Sequence, residues 1–462
     1  MLFQPFYLAC LSHGSYLLGS EGEAVVIDPQ RDVEQYVQQA EQAGLTIKAI
    51  IETHLHADFV SGHVELAERT GATVYFGRRA EVSFAASKVG DGDTLTIGAL
   101  TLKVLETPGH TPESISILVS DTSQPEAPAR LFTGDTLFIG DVGRPDLVGS
   151  KGLTPEAMAG MMYDSLHGKI LTLSDDVEVF PAHGAGSSCG RAISDERSST
   201  IGQQRKTNYA LQPMTKDEFV SMMTLNLSQP PAYFAFNAKM NSEGAETLAD
   251  LPAVAPVAPA AVQDRMAAGD LVLDVRSDAA YAEGHLAGSL NIGLDGRFAH
   301  WVGSLLPFGS SLVLIVTSET QLAEAQQRLA RIGFDTVTGY LVADVAAWRA
   351  AGLDVKQTDT VTPVEVAKHL ADGWQLLDVR QQSEYEKGHA RDAYHHPVDR
   401  LGSGVKHLDP RTATLVVCGS GYRSSAAIGM LEAQGFTRLA NVVGGMTAWQ
   451  EAGLPVETTV NA

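Results

Sequence analysis

The chain has 462 residues, 33 Lys and Arg against 55 Asp and Glu, a formal net charge of -22 and 44% hydrophobic residues. That length predicts two to four domains, and so acidic a surface excludes nucleic acid and anionic membranes as partners. Three cysteines (Cys10, Cys189 and Cys418), no Lys or Arg before Arg31 and no apolar run of transmembrane length predict a cytoplasmic chain without a disulfide framework.

In chain order, "EAVVIDPQ" (23–30) and "IKAIIETH" (47–54) are apolar runs ending in polar residues, the pattern of buried strands. "VEQYVQQAEQAG" (33–44) between them has helical spacing and a terminal glycine. The alternation predicts an α/β layered domain. Cys10, in an apolar N-terminal run, is expected in the core. Potential metal ligands then follow four strand-like runs. His54, His56 and Asp58 follow "IKAIIET"; His110 follows "LKVLET"; Asp135 follows "ARLFTG"; His183 follows "VEVFP". Strand ends converging at one sheet edge are where α/β folds place their sites. Cys189, in "HGAGSSCG", is either a thiol that holds or relays sulfur beside the metal or an inert loop cysteine.

This ordered set resembles the metallo-β-lactamase fold over roughly residues 1 to 240. In that superfamily one metal site uses both histidines of HxH and the next histidine. The other uses the Asp and His of DH and the last histidine, and the later Asp often bridges. Here Phe59 stands at the DH histidine. A phenyl ring has no lone pair for a metal, so the pattern points to one metal and away from two-metal hydrolysis. Ligand types alone leave open a zinc with one free position and an Fe(II) bound by two histidines and a carboxylate. "THLHADFVSGH", "GDVGRPD" (140–146) and the tail "MTKDEFVSMMTLNLSQPPAYFAFNAKMN" (214–241) are similar to persulfide dioxygenases. That resemblance implies Fe(2+), one per chain, on His54, His110 and Asp135. His56, Asp58 and His183 would orient ligands or water. Phe59, Arg144 and Cys189 are the candidates for substrate or sulfur contact. Persulfide dioxygenases with histidine at the Phe59 position also use one iron, so Phe59 reads equally as an apolar pocket wall.

The Pro- and Ala-rich stretch 244–261, "GAETLADLPAVAPVAPAA", reads as a stiff linker. An internal repeat follows. "LVLDVRSDAAYAEGHLAGSLNI" (271–292) matches "QLLDVRQQSEYEKGHARDAYHH" (375–396), and "WRAAGLDV" (348–355) matches "WQEAGLPV" (449–456). In the second copy, "TLVVCGSGYRSSAAIGML" (414–431) carries a strand into Cys418 and a glycine loop into a helix. Inward backbone N–H groups and a helix N-terminus favour a thiolate there. This copy resembles a rhodanese sulfurtransferase domain through its DVR, "EYEKGH", the Cys418 loop and "VVGGMTAW". The resemblance implies Cys418 as the sulfur-carrying nucleophile and Arg423 as charge for an anionic substrate. Gly419, Ser420, Gly421, Tyr422 and Ser424 would form the persulfide loop. The first copy has "SLVLIVTSETQLAEAQQRL" (311–329), with Val316 or Thr317 in place of the cysteine. It reads as an inactive rhodanese fold used for packing or positioning, and the DVR and GH of both copies read as structural.

The expected fold class is α/β multidomain: an N-terminal metallo-β-lactamase αββα sandwich (1–245), a linker (246–261), a rhodanese-like domain without its cysteine (262–356) and a rhodanese sulfurtransferase domain (357–462). The expected activity joins a small thiol persulfide such as glutathione persulfide with O2 to give sulfite and thiol, and sulfur transfer to sulfite to give thiosulfate. A short tether would raise the effective concentration of one site's product at the other. The superfamily's dimers and tetramers leave a homo-oligomer open. Two rivals stand: a zinc thioester hydrolase of the glyoxalase II type with an appended sulfur carrier, and a sulfur-relay or sensing protein.

Overall fold

The computed structural model describes residues 1–147, 152–225, 227 and 229–458. Residues 226 and 228 of the 214–241 tail, and the end of the 357–462 segment beyond 458, lie outside the described residues. The chain forms two compact units, Met1–Leu251 with Ala330–Gly333, and Pro252–Leu329 with Phe334–Ala462. Among the described residues no helix is long and apolar enough to cross a membrane.

The first unit is built on two six-stranded sheets, each with its strands side by side in chain order. One holds β1 (Leu2–Leu8), β2 (His13–Ser20), β3 (Glu23–Ile27), β4 (Thr46–Ile51), β5 (Thr73–Gly77) and β6 (Ser87–Val89). The other holds β7 (Thr94–Ile97), β8 (Leu100–Glu106), β9 (Ile115–Asp121), β10 (Arg130–Gly134), β11 (Glu178–Pro181) and β12 (Ser199–Thr200). The strand alternation explains the layering. Val25 and Ile27 of β3 point inward against Leu102, Val104 and Ile117 of the second sheet. Ala24 and Val26 point outward against Tyr36 and Ala40 of the helix Glu34–Gln42. Leu131 and Val179 pack outward against Met162 and Leu166 of the helix Pro155–Gly168. Strands buried on both faces need continuous apolar runs, which is why "EAVVI" lacks a period of two. The result is the expected αββα sandwich. One expectation fails: Cys10 lies in the turn after β1 and is only half-buried, because β1 stops at Leu8.

In the second unit a parallel sheet runs in the order β15 (Leu290–Asn291), β13 (Leu271–Asp274), β16 (Leu312–Val316), β17 (Val337–Val342), with a small pair of β14 (His285–Leu286) and β18 (Val355–Lys356). A second sheet runs β19 (Asp359–Val361), β23 (Leu439–Val442), β22 (Thr414–Val417), β20 (Gln375–Asp378), β21 (Tyr394–His395). The helix Pro259–Ala267 begins inside the stretch read as linker, because a proline in the first turn starts a helix as readily as it stiffens a coil.

The repeated motifs are scaffold. Arg276 pairs with buried Asp274 at 2.6 Å and donates to the Gly284 carbonyl at 2.9 Å; Arg380 does the same with Asp378 and Gly388 at 2.7 and 2.8 Å. The GH histidines stack on tyrosines, His285 on Tyr281 at 3.8 Å and His389 on Tyr385 at 3.7 Å. Removing one partner of such a pair strands a buried charge. Arg276→Ala should therefore cost this unit about 3–5 kcal/mol, read as a lower midpoint in chemical denaturation.

Candidate active site

The metal group assembles from strand ends. β4 delivers His54, β8 leads to His110, β10 runs directly into Asp135, and β11 leads to His183. Gly134 has φ +52, and a Cβ there would run into the Thr53 hydroxyl, so only glycine lets the β10 and β4 ends approach. Gly143 of "GDVGRPD" is equally tight, since a Cβ would collide with the Asp135 carbonyl.

His54, His110 and Asp135 each offer a ligand atom, all within 4.8 Å of one another, and all three are buried. Their tautomers follow from the hydrogen bonds. The Thr53 hydroxyl donates to Asp28 Oδ2 at 2.8 Å, so at 3.0 Å it accepts from His54 Nδ1. His110 Nδ1 donates to the Arg144 carbonyl at 2.9 Å. Each ring is left with its Nε2 lone pair toward Asp135 Oδ2, at 3.8 Å from His54 and 3.4 Å from His110. His54 Nε2 and Asp135 Oδ2 have no hydrogen-bond partner among the described residues. Ligand bonds of about 2.1 Å place neighbouring donors about 3.0–3.4 Å apart, so small shifts would close this group on one cation. Burial, then the neighbouring His56, hold the His54 imidazole well below its ordinary pKa; burial lowers that of His110. Both therefore keep the lone pairs a metal needs.

Of the flanking polar residues, His183 reaches the ligand Asp135 and Asp58 stands behind His183, whereas His56 touches none of the three ligands through a hydrogen bond. Burial pushes the His183 imidazole down, but Asp135 and Asp58 outweigh it and hold the group up at about 10. It donates Nδ1–H to Asp135 Oδ1 and Nε2–H to Asp58 Oδ2, both at 2.7 Å. His56 is turned to Asp28 and Glu52, with Nε2 at 3.1 and 3.2 Å. Burial opposes its protonation, yet Asp28 and Glu52 hold it charged. Cys189 is buried beside Asp58 and His183; burial, then Asp58 and Asp135, push its thiol up, so it stands there as a thiol. Arg144, a candidate for substrate contact, is held in an ion pair. Its guanidinium is forked onto Asp146 at 2.7 Å twice, and its N–H donates to the Cys189 carbonyl at 2.9 Å. Asp146, two residues on, reaches the fork first, and the short loop leaves the cation buried.

Phe59 is 1% exposed and offers only its ring, 4.5 Å from His56 and 4.0 Å from His13. His13 was missed in the sequence because it opens β2 with no second histidine at ligand spacing. Asn241 was missed too. Its amide donates to the His56 and Phe59 carbonyls and accepts from Ser61 N–H, all at 2.8 Å. It pins the metal loop to the helix Phe234–Glu243.

In the second unit Cys418 follows β22, and Gly421 (φ +101) caps the helix Tyr422–Ala433. The Gly421 N–H donates to the Cys418 sulfur at 3.1 Å, and the Ser424 Oγ lies 3.4 Å from it. Asn441 accepts from the Ser424 hydroxyl at 2.6 Å and orients it. Gly445 of "VVGGMTAW" (φ +55) lies against the Cys418 carbonyl, where a Cβ would clash. Arg423 is not a free cation for substrate: Glu384 grips it at 2.6 and 2.7 Å. A paired cation still offers potential, but less than a bare one.

The first copy reaches this loop. Tyr422 donates to the Gly293 carbonyl at 2.6 Å, Ser425 to Asn291 at 2.6 Å, and the Trp301 ring lies 5.5 Å from the Arg423 guanidinium. Its own cysteine position is resolved by register. Asp274 pairs with Ile315 as Asp378 pairs with Val417, so Val316, not Thr317, stands at Cys418.

The metallo-beta-lactamase superfamily model matches residues 9–183, and the rhodanese-like domain model matches 258–351 and 362–452. The mitochondrial persulfide dioxygenase ETHE1 of Homo sapiens is 32% identical over 231 residues, covering 49% of this chain and 82% of its own length. The hydroxyacylglutathione hydrolase GloC of Haemophilus influenzae is 26% identical over 216 residues, covering 42% of this chain and 90% of its own. A crystal structure described as a metallo-beta-lactamase from Staphylococcus aureus is 34% identical with a TM-score of 0.66, covering 74% of this chain and 99% of that one. Two histidines and a carboxylate at the strand ends of the sandwich in the first unit, and the repeated scaffold and cysteine loop in the second, agree with these matches: the chain belongs to the metallo-beta-lactamase superfamily, in the branch of the persulfide dioxygenase relatives, and carries two rhodanese-like domains.

Proposed function

We propose that the first unit oxidises a low-molecular-weight thiol persulfide, consuming one O2 and one water and releasing sulfite and thiol. In the second unit Cys418 attacks a sulfane sulfur, releases the thiol and passes the sulfur to sulfite as thiosulfate. The carrying observation is the tautomer pair: Thr53 and the Arg144 carbonyl fix both Nδ1–H groups, leaving two Nε2 lone pairs and Asp135 Oδ2 on one point. Fe(II) held there by His54, His110 and Asp135 would bring redox chemistry and free positions for sulfur and dioxygen. The chain's own residues do the rest. His183 keeps Asp135 oriented and carries a proton at Nδ1 and Nε2. Buried Phe59 walls off water. The Gly421 N–H steadies the sulfur on Cys418, with the Ser424 oxygen beside it.

The division of labour follows the boundaries 1–245 for oxidation, 246–261 for the tether, 262–356 for the cysteine-less partner and 357–462 for transfer. A cytoplasmic setting suits the three free thiols, Cys10, Cys189 and Cys418. The test is metal analysis with oxygen uptake on glutathione persulfide. One iron per chain and iron-dependent uptake are expected. Two zincs per chain, with thioester hydrolysis and no uptake, would favour a hydrolase like the GloC relative.

A further inference from the structure

His13 is fully buried, and neither of its ring nitrogens has a hydrogen-bond partner among the described residues. His56 shares that lack of aligned bonds, but two carboxylates stand at 3.1 and 3.2 Å from it. No carboxylate of the described residues stands within ion-pair distance of His13. Its place is set firmly nonetheless. The backbone bridges His183, and the neighbouring Gly14 N–H donates to the Ala182 carbonyl at 2.7 Å. The ring is bounded by Phe59 at 4.0 Å, His183 at 5.4 Å and His56 at 5.6 Å between centroids.

A buried polar atom left unsatisfied is costly, because the water it gave up is not replaced. A fold that fixes such an imidazole among the rings of its metal group holds it for a partner that arrives. Phe59 is the natural support, being flat, apolar and without a lone pair. The nitrogen absent from position 59 is thereby presented from β2, where it is not one of the ligand-distance groups. One ring N–H beside an apolar wall suits a soft, weakly hydrated sulfur anion better than a hard oxyanion, which would need several donors. We propose that His13 hydrogen-bonds the sulfur of the bound persulfide, and of the thiol left after oxidation, with Phe59 as the surface that holds the imidazole. The assignment rests on the persulfide reading above.

The test uses the iron-loaded full chain, His13→Phe and His13→Gln, with glutathione titrated calorimetrically as the probe. His13→Phe should bind glutathione about tenfold more weakly, the loss of about 1.4 kcal/mol expected of one such bond. His13→Gln, which keeps a donor, should recover to within about threefold, and iron content should not change. With glutathione persulfide, KM should rise by the same factor in His13→Phe while kcat moves less than about threefold. Should His13→Phe not fold, His13→Ala carries the same comparison. Equal glutathione affinity in all proteins would overturn the assignment, since the partner would then be water. So would iron loss in both variants, or no glutathione binding to the wild type. If glutathione affinity depends on His13 while the wild type takes up no oxygen, the dioxygenase reading fails and only the His13 contact to the thiol stands.

Discussion

Cys418→Ser should abolish sulfur transfer to sulfite or cyanide, by at least about 10³-fold, the scale seen when a nucleophile is removed. Iron content and persulfide-dependent oxygen uptake should stay at wild-type levels. A serine hydroxyl can accept the Gly421 N–H that now reaches the sulfur, so the loop should stay folded. It has no sulfur with which to form a persulfide. The assay is thiosulfate formation from glutathione persulfide and sulfite, beside metal analysis. Full transfer by the variant would move the carrier to another thiol, with Cys189 first in line. That outcome would need Cys189 to lose its proton against burial, which disfavours any charge there, and against repulsion from Asp58 and Asp135.

The opposite separation is expected of His110→Ala. Removing one of three ligands should lower iron affinity by more than about 100-fold, since even groups behind a ligand are worth 10- to 100-fold. Oxygen uptake should fall to background, while transfer through Cys418 continues. Two effects compound. The methyl group offers no lone pair beside Asp135 Oδ2, and the Arg144 carbonyl loses the Nδ1–H it accepts at 2.9 Å. Iron content by metal analysis, oxygen uptake by electrode and thiosulfate formation on one preparation decide it. If iron and uptake survive, the ligand set His54, His110 and Asp135 is wrong, and Asp58, His183 and Cys189 become the group to examine. If transfer fails as well, the two activities are not separable in the way the chemistry predicts.

Local chemistry made much of this protein readable in advance. Strand runs buried on both faces and the four polar segments after them determined the layered fold and its site edge. Residue type alone excluded Phe59 as a ligand. The repeat marked two modules, and the missing thiol marked the first as unable to carry sulfur. These are properties of periodicity and functional groups, which a chain states residue by residue. Everything that depends on direction had to wait for tertiary structure. Which nitrogen of His54 faces inward is decided by the Thr53 hydroxyl, itself turned by Asp28. That Arg144 and Arg423 are paired rather than bare cations is decided by Asp146 and Glu384. Val316 rather than Thr317 occupies the vacant thiol position because of strand register. His13 joins the site only because β2 lies beside the β11 end, 170 residues further on, in a bridge to His183. Hydrogen bonds, ion pairs and ring contacts are set by orientation and by partners distant along the chain, and no local spacing encodes either.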